Sequence, residues 1–257
     1  MCELFGACTA RKIELNSLLH TFFSHADHHP HGWGMALFHK NVACVEKQAV
    51  TANKSARLQS YLEQPVVADT MMAHIRLATK GNMEYDNCHP FVRKDDSGRT
   101  WTLVHNGTIF ESAALNPFFY VQEGQTDSER ILYYIIERIN RRQEEQHHAL
   151  SGGERFQVIN EVICEIAEEN KLNLLIYDGE YFYVHTNLRE SLYESERGEG
   201  VVFSTVPLDG QSWKPLPLNT LLAYRYGRLV HRGTNHGWEY VEDPEKMKLL
   251  FLDFSAL

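Results

Sequence analysis

Two amphipathic helices stand in the middle of a chain that otherwise has the sequence pattern of β-strands, and this order limits the possible folds. Thr126 and Ser151 are each followed three residues later by Glu, the arrangement of a capping box, and each opens a segment with apolar residues at helical spacing. Before and after this pair the chain favours short strands rich in Val, Ile and aromatic residues. Strands, then two helices, then strands again predict an α+β fold of packed layers rather than alternating βαβ units.

Turn signals divide the strand-rich segments. Lys40-Asn41, Asp178-Gly179 and Tyr226-Gly227 each separate two apolar runs and predict hairpins. The polar segment from Arg141 to His148 is predicted to be a helix end followed by a loop. Because no repeat and no low-complexity linker divides the chain, we expect residues 1–257 to form a single domain.

Composition narrows the function classes. The chain has 257 residues with a net charge of −9, so nothing indicates a surface that binds nucleic acid. The sequence contains no run of 18 apolar residues and so predicts no membrane-spanning helix. The start Met1–Gly6, which contains an acidic residue, is not typical of a signal peptide. The five cysteines are scattered, without a Cys-x-x-Cys pair, which favours neither a disulfide framework nor a zinc ribbon. We therefore predict a cytoplasmic protein whose fold needs neither disulfides nor a metal.

Cys2 is the first candidate for chemistry. If Met1 is removed, Cys2 carries a free α-amine beside its thiol, and the reference pKa values of the two groups, about 8 and 8.5, allow the amine to accept the thiol proton. An N-terminal amine that activates its own side chain is an established kind of nucleophile. The alternative is that Cys2 is a small buried residue at the start of a strand, as most cysteines are.

Asn106-Gly107 is the second candidate. At the end of a strand, an Asn side-chain amide and a Gly backbone N–H can lie side by side and hold the oxyanion that forms in acyl transfer. The alternative is a simple turn, because Asn-Gly is the most frequent hairpin dipeptide, and local sequence alone favours the turn.

Arg76 and Asp127 form the third candidate. The planar guanidinium of Arg76 suits a carboxylate, and Asp127, in the first turn of a capped helix, can pair with an ammonium group. Together they match the two charged ends of an α-amino acid. The alternatives are a structural ion pair for Arg76 and a favourable helix-dipole position for Asp127.

Four histidines between residues 25 and 31 are the fourth candidate: His25, His28, His29 and His31. Imidazole is a common metal ligand, but the spacing matches no zincin or zinc finger. We interpret this segment as a flexible polar loop that leads into Gly32-Trp33-Gly34, and predict no metal site.

Six short segments, in this order over about half the chain, are similar to those of the class II glutamine amidotransferases, the N-terminal-nucleophile type. The matching segments are residues 1–6 (MCELFG), 31–34 (HGWG), 74–81 (HIRLATKG), 87–91 (NCHPF), 105–109 (HNGTI) and 124–129 (GQTDSE). Each is weak alone, but their order makes the signal specific. The region from Val201 to Gly227 also resembles the end of the stand-alone members.

The resemblance implies a fold and a set of roles. The fold would be a four-layer αββα sandwich of two largely antiparallel sheets between helical layers. Cys2 would be the nucleophile, and the Asn106 side chain and the Gly107 N–H would form the oxyanion hole. The set that binds the glutamine backbone would be Arg76 for the α-carboxylate, with Thr79 and Gly32 nearby, and Asp127 for the α-ammonium.

The reaction that the resemblance implies is hydrolysis of the γ-amide of glutamine through a thioester, without a cofactor or metal, with ammonia released for an unidentified acceptor or a separate synthase. This chain departs from common family residues at His31, Leu77 and Lys80, which would line the glutamine site. Two alternatives follow: a hydrolase of another γ-glutamyl amide or peptide, and a non-catalytic regulatory or binding subunit that keeps Met1.

Overall fold

The computed structural model describes residues 2–39 and 42–245, which contain thirteen strands and four α-helices. The strands are β1 (Glu3–Glu14), β2 (Trp33–His39), β3 (Val42–Gln48), β4 (Val67–Ile75), β5 (Phe91–Lys94), β6 (Thr100–Thr108), β7 (Lys171–Tyr177), β8 (Phe182–His185), β9 (Tyr193–Glu196), β10 (Gly200–Ser204), β11 (Lys214–Pro215), β12 (Leu222–Arg225) and β13 (Arg228–Arg232). The helices are α1 (Asn16–Ser24), α2 (Ala56–Leu62), α3 (Asp127–Gln146) and α4 (Gly152–Ile166). Short 3-10 turns cover His25–His28, Ala52–Lys54, Tyr85–Asn87 and Ala113–Tyr120.

The strands form two antiparallel sheets. One has seven strands in the order β11-β9-β10-β1-β4-β2-β3, and the other has six in the order β13-β12-β8-β7-β6-β5. Strand β1 lies at the centre of the first sheet, with β10 on one side and β4 on the other. The first strand of the chain is therefore held by segments about 70 and 200 residues away.

Helices cover the outer face of each sheet. On the seven-stranded sheet, α1 and α2 bury Phe22 and Leu58, and on the six-stranded sheet, α3 and α4 bury Ile135 and Ile163. A third apolar core lies between the sheets and includes Phe182. This arrangement confirms the predicted α+β sandwich of four layers. None of the helices in the described part of the chain is long and apolar enough to cross a membrane.

Side-chain alternation decides which residues face the space between the sheets. In β1, Leu4 and Cys8 point into this space, whereas Phe5 packs toward α1. Cys2, two residues before Leu4, continues the inner row. In β6 the inner row runs from Val104 to Asn106, two residues further along the strand. Cys2 and Asn106 thus belong to the two inner faces.

Two local predictions, at Asn106-Gly107 and at Glu129, need correction. Asn106-Gly107 is neither a turn nor a strand end, because β6 continues to Thr108 and pairs with β7 through both residues. Helix α3 ends at Gln146, within the segment Arg141–His148 where a helix end followed by a loop was predicted, so that prediction is confirmed. The Thr126 hydroxyl caps α3, but the Glu129 carboxylate does not complete the capping box; it accepts hydrogen bonds from the Glu123 and Gly124 N–H groups instead. The predicted Lys40-Asn41 turn lies outside the described residues, although β2 and β3 on either side of it do pair.

Candidate active site

Cys2 lies at one end of the space between the sheets. Its Sγ accepts a hydrogen bond from the Leu77 N–H at 3.4 Å and donates one to the Leu77 carbonyl oxygen at 3.3 Å. Burial raises the pKa of the thiol, while the Leu77 N–H and the positive charges of Arg76 and Lys171 lower it. Cys2 as a whole residue is partly exposed.

His74 joins the two sheets beside Cys2. It lies opposite Leu4 in the pairing of β1 with β4, and its Nε2 is 3.2 Å from the His105 carbonyl oxygen in β6. A ring nitrogen that meets a carbonyl oxygen must carry the proton, which fixes the Nε2–H tautomer. Burial holds the pKa of His74 well below its usual value, so the ring is neutral. This contact brings the strand that carries Asn106 close to the start of β1.

Asn106 and Gly107 lie side by side within β6. The Asn106 side chain is 2% exposed, and its Oδ1 has no hydrogen-bond partner among the described residues. Buried polar atoms are nearly always hydrogen-bonded, so a hydrogen-bond donor from outside the described residues is expected for this oxygen. Gly107 has to be glycine, because a Cβ would lie 1.9 Å from the Lys171 carbonyl oxygen.

Arg76 follows β4 and holds the loop after it. Its guanidinium donates hydrogen bonds to the carbonyl oxygens of Lys80, Gly81 and Asn82, each at 2.8 Å. Since a guanidinium has five N–H donors, Nε–H and one further N–H remain for a ligand. Arg76 is therefore a loop anchor as well as the predicted carboxylate ligand.

Gly32 meets Arg76 through the backbone. The Gly32 carbonyl oxygen accepts a hydrogen bond from the Arg76 N–H at 2.8 Å. The φ angle of Gly32 is 141°, and a Cβ there would lie 2.7 Å from the Cys88 Sγ, so only glycine fits. Thr79 lies on the other side of this loop, with its hydroxyl 3.3 Å from that of Thr108.

Asp127 ties the start of α3 to the end of β6. Its carboxylate accepts hydrogen bonds from the Ile109 N–H at 2.6 Å and from the Ser128 N–H at 2.9 Å. The Lys80 ammonium lies 3.9 Å from the same carboxylate and donates to the Ile109 carbonyl oxygen. Asp127 thus already has a cation of the chain beside it.

The histidine segment is not the flexible loop that was predicted. His25 to His28 form a 3-10 turn, and the Glu3 carboxylate binds His25 at 2.8 Å and lies 3.8 Å from His29. The Ala78 N–H donates to His31 Nδ1 at 2.8 Å, which links this segment to the loop after β4. Within residues 2–39 and 42–245, no group of three or more His, Cys, Asp or Glu side chains is arranged to hold a metal ion.

The sequence analysis assigned no role to His74 or Lys171. Lys171 begins β7 opposite Thr108, and its side chain is 4% exposed. A lysine at the start of an apolar strand carries no sequence signal for a site. His74 is adjacent to a candidate in sequence, but only the stacking of the two sheets reveals its contact with β6.

Two stacked antiparallel sheets between helical layers, with a cysteine at the start of a central strand, define the sandwich of the N-terminal-nucleophile amidotransferases. The chain belongs to the class II glutamine amidotransferases, because the family model described as "Glutamine amidotransferases class-II" matches residues 1–199. It is therefore an enzyme of amide hydrolysis or amide transfer, as predicted.

Known proteins similar to the chain include two relatives and one solved structure. Protein MJ1515 of Methanocaldococcus jannaschii is 27% identical over 258 residues, which cover 90% of this chain and 71% of that protein. YafJ of Escherichia coli is 27% identical over 162 residues, which cover 62% of each protein. The glutamine phosphoribosylpyrophosphate amidotransferase of B. subtilis superposes with a TM-score of 0.66 at 16% identity, over 92% of this chain and 49% of that one. At this low identity, the similarity to the B. subtilis enzyme concerns the fold alone.

Proposed function

We propose that the chain hydrolyses the γ-amide of glutamine with Cys2 as the nucleophile, by way of a thioester, and releases glutamate and ammonia. The observation that carries this proposal is the position of Cys2 and Asn106 on facing inner surfaces, next to the contact between His74 and His105. A thiol nucleophile facing a strand that carries an Asn side-chain amide beside a Gly backbone N–H suits acyl transfer, because both of these groups are hydrogen-bond donors.

The proposed reaction begins after removal of Met1, which frees the α-amine of Cys2. The amine takes the thiol proton, and the sulfur attacks the γ-carbonyl carbon. The Asn106 amide and the Gly107 N–H bind the resulting oxyanion. The C–N bond then breaks, and the amine returns its proton to the leaving ammonia. Water, deprotonated by the same amine, cleaves the γ-glutamyl thioester, which gives glutamate and restores the thiol.

The amino-acid end of the substrate would bind between the loop after β4 and the start of α3. The remaining N–H groups of Arg76 would hold the α-carboxylate, with Gly32 and Thr79 shaping the same side. Asp127 would hold the α-ammonium. This binding orients the γ-amide toward Cys2 and makes the attack effectively intramolecular.

Hydrolysis of another γ-glutamyl amide or peptide is the second candidate. It is favoured by the Lys80 ammonium, 3.9 Å from Asp127 Oδ2, because a cation of the chain already compensates the carboxylate expected to bind the α-ammonium. Glutamine then gains less from Asp127, and a substrate with a larger amine portion can recover binding energy elsewhere.

The domain organisation and the partner of the chain are proposed from what the family implies. Residues 1–257 would act as a single amidotransferase domain, and a separate synthase would accept the ammonia. No cofactor takes part in the proposed reaction. The cytoplasmic location inferred from the sequence stays a prediction.

The test is an intact-mass measurement on protein purified from its native host, followed by a glutamate assay. The protein is incubated with glutamine and, separately, with a γ-glutamyl peptide. We expect loss of Met1 and release of glutamate that disappears in Cys2→Ala. The exposed Cys44 provides the matched control, and Cys44→Ala should keep full activity.

The preferred substrate decides between the two enzymatic candidates. Retention of Met1, with no glutamate from either substrate, would contradict the catalytic proposal. The chain would then be a regulatory or binding subunit on the same fold.

A further inference from the structure

His31, just before β2, contacts the chain on both sides of the residue that holds the Cys2 thiol. That residue is Leu77, whose N–H and carbonyl oxygen lie 3.4 Å and 3.3 Å from the Cys2 sulfur. The Arg76 carbonyl oxygen, immediately before Leu77, accepts a hydrogen bond from the His31 N–H at 3.0 Å. The Ala78 N–H, immediately after Leu77, donates to His31 Nδ1 at 2.8 Å. His31 therefore holds both ends of the segment that contacts the thiol.

The two contacts of His31 differ in what they require of its side chain. The bond to the Arg76 carbonyl oxygen is made by the backbone and continues the pairing of Trp33 with Ile75 between β2 and β4, so any residue except proline could make it. The bond from the Ala78 N–H needs a side chain with an acceptor at the position of Nδ1. Ala78 is 2% exposed, and a buried N–H that loses its acceptor is costly. The imidazole, not the backbone, is thus the part of His31 that a substitution can remove.

The acceptor role of His31 requires that Nδ1 carries no proton. Because Nδ1 receives the Ala78 N–H, the proton of the neutral ring must lie on Nε2. Burial, followed by the positive charge of Arg76, lowers the pKa of His31 below its usual value. The ring is therefore neutral at and above neutral pH, and its Nδ1 lone pair is available to Ala78.

The position of Leu77 affects the reactivity of Cys2. A hydrogen bond to a thiolate stabilises the charged form, and the Leu77 N–H lowers the pKa of the Cys2 thiol against the effect of burial, which raises it. The contact is already long at 3.4 Å, so a small displacement of Leu77 would remove it. Arg76, the residue predicted to bind the substrate carboxylate, is the neighbour of Leu77. Holding this one segment therefore fixes the thiol and the predicted carboxylate ligand relative to each other.

We propose that His31 is a positioning residue of the reaction, whose imidazole holds residues 76–78 so that the Leu77 backbone binds the Cys2 sulfur. His31 exchanges no proton with the reacting atoms; it acts through the Ala78 N–H and the backbone of Leu77. The effect of His31 on turnover rests on the proposed function, whereas its effect on the reactivity of the Cys2 thiol does not.

The test measures the alkylation of Cys2 by iodoacetamide as a function of pH, followed by mass spectrometry of the N-terminal peptide in variants with the same N-terminal processing. His31→Leu and His31→Asn form the central pair, because Leu and Asn side chains have nearly the same shape, and only Asn has an acceptor, Oδ1, as far from Cα as the Nδ1 of His. His31→Leu should raise the pH midpoint by about half to one pH unit, because the Leu77 N–H is no longer held beside the sulfur. His31→Asn should restore a midpoint close to that of the parent.

His28→Leu is the matched control. His28 lies in the 3-10 turn of the same histidine segment and is exposed, so its replacement should leave the midpoint unchanged. Coincident profiles for His31→Leu and the parent would overturn the proposal. An equal shift in His31→Asn or in His28→Leu would overturn it too, because the acceptor at residue 31 would then not be the cause.

A further variant covers the case in which His31→Leu does not fold, as judged by circular dichroism. His31→Gln then takes its place, because its amide lies one bond further from Cα than Nδ1 does. We expect its midpoint to lie above that of His31→Asn, and equal midpoints in these two variants would overturn the proposal.

Alkylation needs no turnover, so the role of His31 and the proposed hydrolysis can fail separately. A raised midpoint in His31→Leu of a protein that releases no glutamate would support the role of His31 and contradict the hydrolysis. Where glutamate is released, kcat/KM with the preferred substrate should fall roughly tenfold or more in His31→Leu and recover in His31→Asn. Glutamate release together with coincident alkylation profiles would contradict the role of His31 alone.

Discussion

Two cysteines on the same inner row of one strand segment have opposite environments. Cys2 and Cys8 are six residues apart, and each sulfur accepts a hydrogen bond from a backbone N–H at 3.4 Å, from Leu77 and Gly227 respectively. Cys8 is 3% exposed, and burial, with a contribution from the charge of Asp69, raises its pKa to about 11. Cys2 is partly exposed as a residue, and the charges of Arg76 and Lys171 lower its pKa against the effect of burial.

The hydrogen bond from a backbone N–H to the sulfur is the same for both thiols and therefore does not distinguish them. Burial raises the pKa of both thiols, but the nearby charges act in opposite directions: those of Arg76 and Lys171 lower the pKa of Cys2, and that of Asp69 raises the pKa of Cys8. Cys8 packs in the apolar core between the sheets together with Phe182 and Phe203, whereas Cys2 lies outside that core. The same strand thus supplies a candidate nucleophile and a core residue.

The largest expected effect separates the two cysteines by function. Cys2→Ala should lower glutamate release by roughly three orders of magnitude or more, because the covalent step is lost. Cys8→Ala should retain it, since Cys8 lies away from the reacting atoms. Both are measured as kcat with the preferred substrate. Equal losses in the two variants would contradict the different roles assigned to Cys2 and Cys8.

The next effect concerns the oxyanion. Asn106→Ala should lower kcat by roughly 10²–10³ with little change in KM, because one donor to the developing charge is removed. Asn173, opposite Asn106 in β7, is the matched control, because its amide is already bound to Ser191 at 2.8 Å. Asn173→Ala should reduce the free energy of unfolding by about 1–3 kcal/mol and leave kcat nearly unchanged. A normal kcat in Asn106→Ala would remove it from the proposed oxyanion hole.

Alkylation at pH 8 gives a smaller difference. A thiol whose pKa is about 11 is about a thousandth ionised at this pH, so Cys8 should react roughly a hundredfold more slowly than a free cysteine. The rate of alkylation at Cys8 should increase as the pH is raised, because the reactive thiolate forms only as the pH approaches the pKa of about 11. Cys2 should be modified well before Cys8, as read by peptide mass spectrometry. Faster reaction at Cys8 would contradict the assignment of the two environments.

The smallest expected effect is on stability, and here substitution of Cys8 should cost more than substitution of Cys2. Cys8→Ser should reduce the free energy of unfolding by about 1–3 kcal/mol, because it places a hydroxyl in an apolar core. Cys2→Ser should change it by less than about 0.5 kcal/mol, since the residue is partly exposed and lies outside the apolar core. Denaturation in urea measures both. A larger loss at Cys2 would indicate that it is a structural residue.

The helices and the order of the layers could be predicted because their signals are local. The Ser151 capping box is complete in the structure, and the apolar stripes of α3 and α4 face the sheet as their spacing requires. The limits of this reasoning appear at Asn106-Gly107 and at Glu129. Their local patterns favour a turn and a capping box, but pairing with β7 and an ion pair with Arg93 at 2.9 Å decide otherwise.

The fold class, the family and the candidate site residues from Cys2 to Asp127 could be predicted from the sequence alone, because hydrophobic periodicity, helix caps and ordered motifs depend on residues that are close together in the chain. Only the tertiary structure decided what surrounds them: that loop carbonyls already engage Arg76, that Lys80 lies beside Asp127, and that Lys171 faces the same space as Cys2. The physical reason is that these contacts join residues brought together by strand pairing and sheet stacking, and no local pattern encodes which distant segments will meet.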